Sequence, residues 1–362
     1  MITSVRIRNT GSIGDVYLSF EKAGYKYLNE YVLRNRIANP IAVYGCNGSG
    51  KSSFLNAFEY LVNLLDEEPD KISGFMPNIV SLKSNPKTIA GITMHFILGK
   101  KEYEYSVDED SEGLKAELLI IDGKKILKRS RNQYTYRGKA VPIEARLYPA
   151  LRDLVAKREA EQDVVDAFEF LSNIAYVSAN RRNYNVKSFR NKQYLDVLVE
   201  KSTQVKSILK QYRVFPQYDF VSQSNPTEKK QYFAELNIGD SKLRLPFQLA
   251  SDGMLNQSFL LSVVLSLPEN GVLVVDEIDQ ALHPLTTMDF INVANEKRIQ
   301  LIFSGHNTNL LSKMRPDNIV FANWKDGYSS FKRLSDIYPN IREVNNIEKM
   351  YLASTFDDVI KD

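Results

Sequence analysis

One short motif constrains this chain more than any other feature of its sequence. Residues 45–52 read GCNGSGKS, which fits the pattern G-x-x-x-x-G-K-[ST] with Gly45, Gly50, Lys51 and Ser52 at the required positions. An apolar, strand-like segment precedes the motif, and the helix-like segment SSFLNAFEYLVNLL follows it. This context predicts a loop whose backbone N–H groups surround phosphate oxygens. We therefore expect an α/β fold that binds a nucleoside triphosphate.

The residues of this loop have separate expected roles. The lysine is expected to reach the terminal phosphates, and the hydroxyl of Ser52 is expected to bind Mg²⁺. Cys46 occupies a variable position and is interpreted as a small loop residue. A glycine-rich turn without a ligand is the alternative, which the strand and helix context disfavours. The residues expected to contact the nucleotide are Gly45, Asn47, Gly48, Ser49, Gly50, Lys51, Ser52 and Ser53.

Composition excludes several classes of protein. The chain has 47 Lys and Arg residues and 44 Asp and Glu residues, so its net charge is small. The overall charge therefore does not indicate a large basic surface for nucleic acid. The single cysteine excludes an internal disulfide framework and a cysteine-rich zinc site, and it suits a reducing compartment. No signal peptide begins the chain, and its longest apolar runs are too short to span a bilayer. These features predict a soluble, globular, cytoplasmic protein without a membrane segment.

Hydrophobic periodicity divides the chain into three expected regions. Alternating segments such as SVRIRN and KEYEYSV predict an antiparallel β lobe around the phosphate loop, within residues 1–135. Residues 145–172 and 194–212 carry apolar positions at helical spacing, so we expect a helical insertion and linker over 136–235. Residues 236–362 are expected to form the second lobe of the nucleotide-binding fold.

A basic segment lies between the two helical patterns of the insertion. A solvated surface loop is one interpretation of this segment, and contact with nucleic acid or an acidic partner is the other. Both interpretations are open at this point. The segment contains Arg181, Arg182, Lys187, Arg190 and Lys192, with Tyr184 and Phe189 interleaved.

Two further segments contain the residue types that nucleotide hydrolysis requires. GVLVVDEIDQALHP predicts a buried strand that ends in Asp276 and Glu277. We expect Asp276 to hold Mg²⁺ through water, and Glu277 to orient and deprotonate the attacking water. LIFSGHN predicts a second buried strand ending at His306, which we interpret as a γ-phosphate sensor rather than as a structural histidine.

A Ser-x-Gly turn at Ser251 and Gly253 precedes an apolar helical pattern in LASDGMLNQSFLLSVVLSL. We expect an amphipathic helix here, whose N-terminal amide groups form a second anion site. We expect that a single bound nucleotide cannot contact both the phosphate loop and this second anion site of the same chain. We therefore expect a head-to-tail homodimer, or a larger assembly, in which each turn closes over ATP held by the other subunit.

The order of these motifs resembles that of ATP-binding-cassette (ABC) ATPases. The segments IRNTGSI, VYGCNGSGKSSFLNAFEYL, SDGMLNQ, VVDEIDQALHP and FSGHNTNLL resemble the chromosome-maintenance and RecF-like branch, particularly bacterial anti-phage defence ATPases of the RloA, AbiL and OLD types. The resemblance covers most of 1–135 and 236–335. It implies an ABC-type head with an N-terminal antiparallel β lobe and a mixed sheet flanked by helices. It also implies a Mg²⁺-dependent, dimeric ATPase switch that controls a separate nuclease or toxin.

Two departures limit this resemblance. The signature reads LASDGMLNQ rather than Leu-Ser-Gly-Gly-Gln, and residues 80–110 contain no convincing glutamine loop, so that role is unassigned. The chain is also expected to end too early for the Toprim nuclease that follows the ATPase in OLD proteins. Any effector is therefore expected on another polypeptide.

The sequence leaves several alternatives to the defence interpretation. A RecF-like repair ATPase that binds DNA directly through the basic segment is the main one. A scaffold with an inactive site is disfavoured by Lys51, Asp276 and Glu277. A GTPase is disfavoured because NWKD at 323–326 has the wrong residue order for guanine recognition, and a transporter ATPase because of the long insertion.

Overall fold

The computed structural model describes residues 1–66, 88–143, 147–178, 194–212, 218–224, 230–249, 252–353 and 355–356. Its strands are β1 (Ile2–Thr10), β2 (Ile13–Ser19), β3 (Val32–Leu33), β4 (Ile37–Ala38), β5 (Ile41–Tyr44), β6 (Ala90–Leu98), β7 (Lys101–Asp110), β8 (Gly113–Ile121), β9 (Lys124–Ser130), β10 (Gln133–Tyr136), β11 (Lys139–Pro142), β12 (Ala175–Ser178), β13 (Asp219–Gln223), β14 (Gln231–Ile238), β15 (Ser241–Pro246), β16 (Val272–Asp276), β17 (Gln300–Ser304), β18 (Ile319–Lys325) and β19 (Tyr328–Arg333). Its α-helices are α1 (Lys51–Asp66), α2 (Ala150–Ala156), α3 (Gln162–Ser172), α4 (Tyr194–Gln211), α5 (Asp252–Ser266), α6 (Ile278–Ala281), α7 (Pro284–Glu296), α8 (Leu334–Ile337) and α9 (Ile347–Leu352).

A single mixed sheet organises the molecule. Its strand order is β11-β10-β9-β8-β7-β6-β1-β2-β19-β18-β5-β17-β16-β12. The strands from β11 to β2 are antiparallel neighbours, whereas β18, β5, β17, β16 and β12 run parallel to one another. The two parts meet where β19 pairs with β2 in parallel, through the single residue pair Ser329 and Ile13. The expected mixed α/β sheet with an antiparallel N-terminal lobe is confirmed.

The two parts of the sheet have different burial patterns because they are covered differently. Strand β7 alternates buried and half-buried residues along most of its length, as expected for a strand with one wet face. In contrast, all residues of β5, β16 and β17 are buried, because helices cover both faces of the parallel part. Helices α1, α2 and α3 belong to the core on one side, and α4, α5 and α7 belong to the core on the other.

Residues 136–235 contribute strands as well as helices. Helices α2 and α3 occupy most of the 145–172 pattern, with a break at 157–161, and α4 matches the second helical pattern. Strand β12 lies between α3 and the basic segment and forms the last strand of the large sheet, beside β16. The sequence analysis did not predict this strand. The basic segment itself, with Arg181, Arg182, Lys187 and Arg190, lies outside the described residues, as does Ser251.

Helix α5 differs from its expected character. The sequence analysis predicted an amphipathic helix, but residues 257–264 are all buried, so this expectation is wrong. The physical reason is that α4 packs along α5 and removes from water the face that would otherwise be exposed. Helix α5 is therefore a central element of the core, with Gly253 exposed in its first turn.

Within the described residues, no helix is long and apolar enough to cross a lipid bilayer.

Candidate nucleotide site

The phosphate loop lies between a fully buried strand and a long helix. Strand β5 ends at Tyr44, and α1 begins at Lys51, so residues 45–50 form the connection. Gly50 has a φ of 97°, and an added Cβ atom there would clash with the side chain of Ser329. An added Cβ at Gly45 would clash with the carbonyl oxygen of Ala322. Both glycines are therefore required by the close approach of β18 and β19 to the loop.

A cavity of about 540 Å³ opens over this loop. It brings together residues that lie far apart in the chain, on the turn after β1, the phosphate loop, the end of β16 and the end of β17. Its size and its polar character suit a ligand held by hydrogen bonds and charge. The lining residues are Ser12, Asn47, Gly48, Gly50, Lys51, Ser52, Ser53, Glu277, Gln280 and His306.

The ammonium group of Lys51 is held against the loop. Its Nζ donates hydrogen bonds to the carbonyl oxygens of Gly45 at 2.8 Å and Cys46 at 3.0 Å. Burial lowers the pKa of Lys51, and the carboxylates of Asp276 and Glu277 oppose that change. Lys51 is therefore partly shielded from solvent beside two acids, where electrostatic interactions are stronger than in water.

The acidic pair at the end of β16 is joined to β17 by a buried serine. The Oγ of Ser304 donates to Oδ1 of Asp276 at 2.6 Å and accepts from the backbone N–H of Glu277 at 2.8 Å. Ser304 is completely buried, and Asp276 is only 5% exposed. One hydroxyl therefore fixes both acids relative to the adjacent parallel strand.

Glu277 adopts an unusual backbone conformation and has a polar neighbour. Its φ and ψ are both 57°, in the left-handed region that residues other than glycine adopt uncommonly. The side chain is directed to the cavity, where Nε2 of Gln280 donates to its Oε2 at 2.6 Å. The amide thus fixes the orientation of the carboxylate.

His306 is positioned through its backbone. Oδ2 of Asp279, in the helix that follows the acidic pair, accepts hydrogen bonds from the backbone N–H groups of His306 and, at 3.1 Å, of Asn307. An added Cβ at Gly305 would lie 2.9 Å from the same oxygen, so a larger residue there would displace the Asp279 carboxylate from this position. Asp279 therefore links the loop that carries His306 to the segment that carries Glu277.

The residues present fit a nucleoside triphosphate with Mg²⁺. Ser49 is buried inside the loop, and its Oγ has no hydrogen-bond partner among the described residues. The described residues contain no cluster of three or more His, Cys, Asp or Glu side chains that would hold a metal alone. Mg²⁺ usually takes one or two protein oxygens and completes its shell with phosphate and water, which matches a site with Ser52 and Asp276.

The sequence-predicted residues fall into three groups. Those of the phosphate loop meet Glu277 and His306 at one cavity, whereas Gly45, Ser49 and Asp276 do not line it but lie within two positions in the sequence of residues that do. Gly253 does not line this cavity but lies exposed at the N-terminal end of α5, with open space around its Cα. Ser251 lies outside the described residues.

Sequence reasoning missed four residues of the site. Ser12 and Gln280 line the cavity, while Ser304 and Asp279 support the residues that line it. Three of the four lie in the segments VVDEIDQALHP (Asp279 and Gln280) and LIFSGHN (Ser304), where each polar residue after an apolar run is a candidate. Ser12 lies in IRNTGSI, one of the segments that carry the family resemblance, but no residue of that segment was assigned a role at the site.

The fold and the site together define the class of P-loop ATPases with an ABC-type head. A family model described as "AAA domain, putative AbiEii toxin, Type IV TA system" matches residues 41–312, and the chain belongs to this family. No curated protein sequence matches the chain significantly.

Solved Smc head domains share the fold. The head domain with an extended coiled coil from Pyrococcus furiosus, bound to the C-terminal domain of ScpA, is 13% identical; the match covers 99% of each chain with a TM-score of 0.52. The Smc head with a coiled coil and joint from Pyrococcus yayanosii is 11% identical, with 98% of this chain and 99% of that chain covered and a TM-score of 0.52. An SmcHead bound to the C-winged helix domain of ScpA is 15% identical, with 91% and 96% covered and a TM-score of 0.52.

Proposed function

We propose that this protein binds ATP with Mg²⁺ at the cavity over residues 45–53 and hydrolyses it. The observation that carries the proposal is the convergence of Lys51, Glu277 and His306 on one cavity from three different strand ends. A phosphate loop alone supports binding only. The addition of a carboxylate that is positioned by a neighbouring amide supports hydrolysis.

Each side chain at the cavity has a separate role in the proposed hydrolysis. Glu277, oriented by Gln280, accepts a proton from the attacking water, and Lys51 compensates the negative charge that develops on the phosphate oxygens. His306 donates a hydrogen bond to the terminal phosphate and so registers its presence. Ser52 and Asp276 would hold Mg²⁺, which supplies charge neutralisation at the phosphates when it is bound.

The catalytic assembly is proposed to be a homodimer or a larger homo-oligomer. Gly253 is exposed and lies outside the cavity lining of its own chain, which leaves the N-terminal end of α5 available to a neighbouring subunit. A fifteen-residue helix directs partial positive charge and free N–H groups from this end. In the proposed dimer, Ser251 and Gly253 of one subunit close over ATP held by the other.

The biological role is proposed to be anti-phage defence, as a switch that controls a separately encoded nuclease or toxin. The family description names a putative toxin of a type IV toxin–antitoxin system, which supports action together with a second gene product. Two of the similar Smc heads were solved with a domain of ScpA, which supports a head fold that accommodates a protein partner.

The competing role is direct DNA binding in repair, which the basic segment between residues 181 and 192 favours. The two roles predict different partners. DNA affinity that falls steeply between about 50 and 200 mM salt, without a co-purifying protein, would support repair. Retention of a host protein at moderate salt, lost when Arg181 and Arg182 are changed to Glu while ATPase activity survives, would support defence.

The test of the nucleotide site compares two variants with a matched control. Lys51→Ala should abolish ATP binding, whereas Glu277→Gln should retain binding and lower turnover by about 100-fold or more. Glu112→Gln, a change at an exposed glutamate that pairs with Arg131, should match the parent in both measurements. Equal turnover by Glu277→Gln and the parent would remove Glu277 from the role of base.

Light scattering tests the dimer with the same proteins. Glu277→Gln with saturating ATP and Mg²⁺ should run at twice the mass of the chain or more, and Ser251→Arg should prevent this by adding bulk and charge. Monomers of both the parent and Glu277→Gln under saturating ATP would overturn the shared site while leaving ATP binding untouched.

A further inference from the structure

The sheet order gives the candidate nucleotide cavity two distinct ends. Glu277 and His306 follow β16 and β17, which lie on one side of the phosphate-loop strand β5. Ser12 follows β1 and lies on the opposite side of β5, beyond β18 and β19. The terminal phosphate and the base occupy opposite ends of a nucleoside triphosphate. With the hydrolytic residues at the first end, the base must extend toward Ser12.

The β18–β19 hairpin lies at the end of the cavity where Ser12 is found. The backbone N–H of Ser329 donates to the carbonyl oxygen of Ser12 at 2.7 Å, and the hydroxyl groups of the two serines are hydrogen-bonded to each other. Ser329 also presses against Gly50, as the clash of an added Cβ there shows. The hairpin is therefore fixed directly beside the phosphate loop.

Trp324 is the residue of this hairpin placed to meet a base. It lies directly opposite Ser329 in the strand register, so its side chain is on the same face of the sheet. Farther along that face, Ala322 and Phe331 are buried, and the ring of Phe331 packs on Phe54 in the first turn of α1, with 5.2 Å between centroids. This is the face from which the phosphate loop and α1 rise.

The exposure of Trp324 contrasts with the burial of its neighbours. Its side chain is 50% exposed, while Ala322 and Ser329 are each 4% exposed. Trp324 does not line the cavity itself, but its half-exposed ring lies across from Ser329, the residue that contacts the phosphate loop at Gly50. Trp324 is also the only tryptophan in the chain.

We propose that Trp324 stacks on the base of the bound nucleotide and supplies the base contact of the site. An indole ring offers a wide apolar face, and aromatic stacking on nucleobases is strong with little dependence on which base is present. A purine buries more of this face than a pyrimidine, so the site prefers purine triphosphates. This inference rests on the proposed nucleotide site and adds the recognition of its base.

The experiment compares ATP with inorganic tripolyphosphate, which has the phosphates but no base. Tryptophan fluorescence of the parent should change on addition of ATP with Mg²⁺ and should change much less with tripolyphosphate. Trp324→Ala should weaken ATP binding by about tenfold, measured by calorimetry, and should leave tripolyphosphate binding unchanged. Trp324→Phe, which keeps an aromatic face, should restore most of the ATP affinity.

The outcomes separate this inference from the proposed function. If the parent binds neither ATP nor tripolyphosphate, the nucleotide site itself is wrong. If Trp324→Ala binds ATP as tightly as the parent does, the base contact is overturned while the nucleotide site stands. A fluorescence change that appears only as protein concentration rises would assign Trp324 to contact with a second copy of the chain, and would also overturn the inference.

Discussion

Two clusters of buried polar groups, one in each part of the sheet, serve opposite purposes. In the antiparallel part, Glu117 is 1% exposed and accepts hydrogen bonds from the backbone N–H groups of Ala150 and Leu151 and from the hydroxyl of Tyr105, at 2.6 to 2.9 Å. Arg129, 2% exposed, donates to the carbonyl oxygens of residues 131 and 148. Burial raises the pKa of Glu117, and the two N–H groups of α2 oppose that change.

The cluster in the parallel part leaves its charged groups within reach of a ligand. Asp276 is held from behind by Ser304, while Lys51 and Glu277 line an open cavity. The first cluster uses its hydrogen-bonding capacity to fix α2 on the sheet. In the second cluster, Ser304 holds Asp276, Gln280 holds Glu277, and backbone carbonyl oxygens hold Lys51. The first cluster is enclosed by the protein, whereas the second leaves Lys51 and Glu277 at a cavity where a ligand can meet them.

The largest expected effect is on stability, at the first cluster. Glu117→Ala removes the acceptor of two N–H groups and a hydroxyl, together with a carboxylate whose charge favours the charged form of Arg129, so we expect a loss of about 3 kcal/mol or more in the free energy of unfolding. Denaturant titration measures this loss. Glu112→Ala, which breaks an exposed pair with Arg131, should cost less than about 1 kcal/mol. Equal losses in the two variants would contradict the contrast.

A smaller effect is expected where the second cluster meets the metal site. Ser304→Ala removes the group that orients Asp276, and we expect the Mg²⁺ concentration for half-maximal ATPase activity to rise about 10-fold to 100-fold. The matched control is Ser262→Ala, another fully buried serine, whose hydroxyl donates to a backbone oxygen within α5 at 2.8 Å. The control should lose comparable stability without any change in Mg²⁺ dependence. A shift in both variants would indicate a general packing effect.

The smallest effect is expected from the exposed amide at the cavity. Gln280→Ala frees the Glu277 carboxylate to rotate, and we expect kcat to fall about threefold to tenfold with KM for ATP unchanged. The control is Gln162→Ala, which removes a similar exposed bond, 2.7 Å, between a glutamine and Asp166 far from the site. Steady-state kinetics measures both. An altered KM with unchanged kcat would make Gln280 a binding residue rather than a positioning residue for the base.

Local sequence signals predicted the elements whose character is set within a few residues. The phosphate loop, the apolar strands β16 and β17 and the alternating strands β1 and β7 all carry their own periodicity, and the structure has each of them. The environment of α5 was predicted wrongly because it depends on α4, which is distant in the sequence. Strand β12 was missed because four residues beside a helical pattern provide too short a signal. Sequence order cannot reveal the bond between Ser304 and Asp276, since it forms only when parallel strands align.

The junction between β2 and β19 gives the large sheet an uneven resistance to deformation. Elsewhere the strands are joined by ladders of several residue pairs, but here the backbone is bridged only at Ser329 and Ile13. Strand pairing therefore joins the two halves less extensively here than elsewhere in the sheet, and side-chain hydrogen bonds from Arg333 to Glu21 and between Gln300 and Ile2 add to the connection. The proposed base site lies across the same junction, between the turn at Ser12 and the hairpin. A bound nucleotide would contact both sides of this junction. It would therefore restrict movement of one half of the sheet against the other, and release of the nucleotide would permit that movement again.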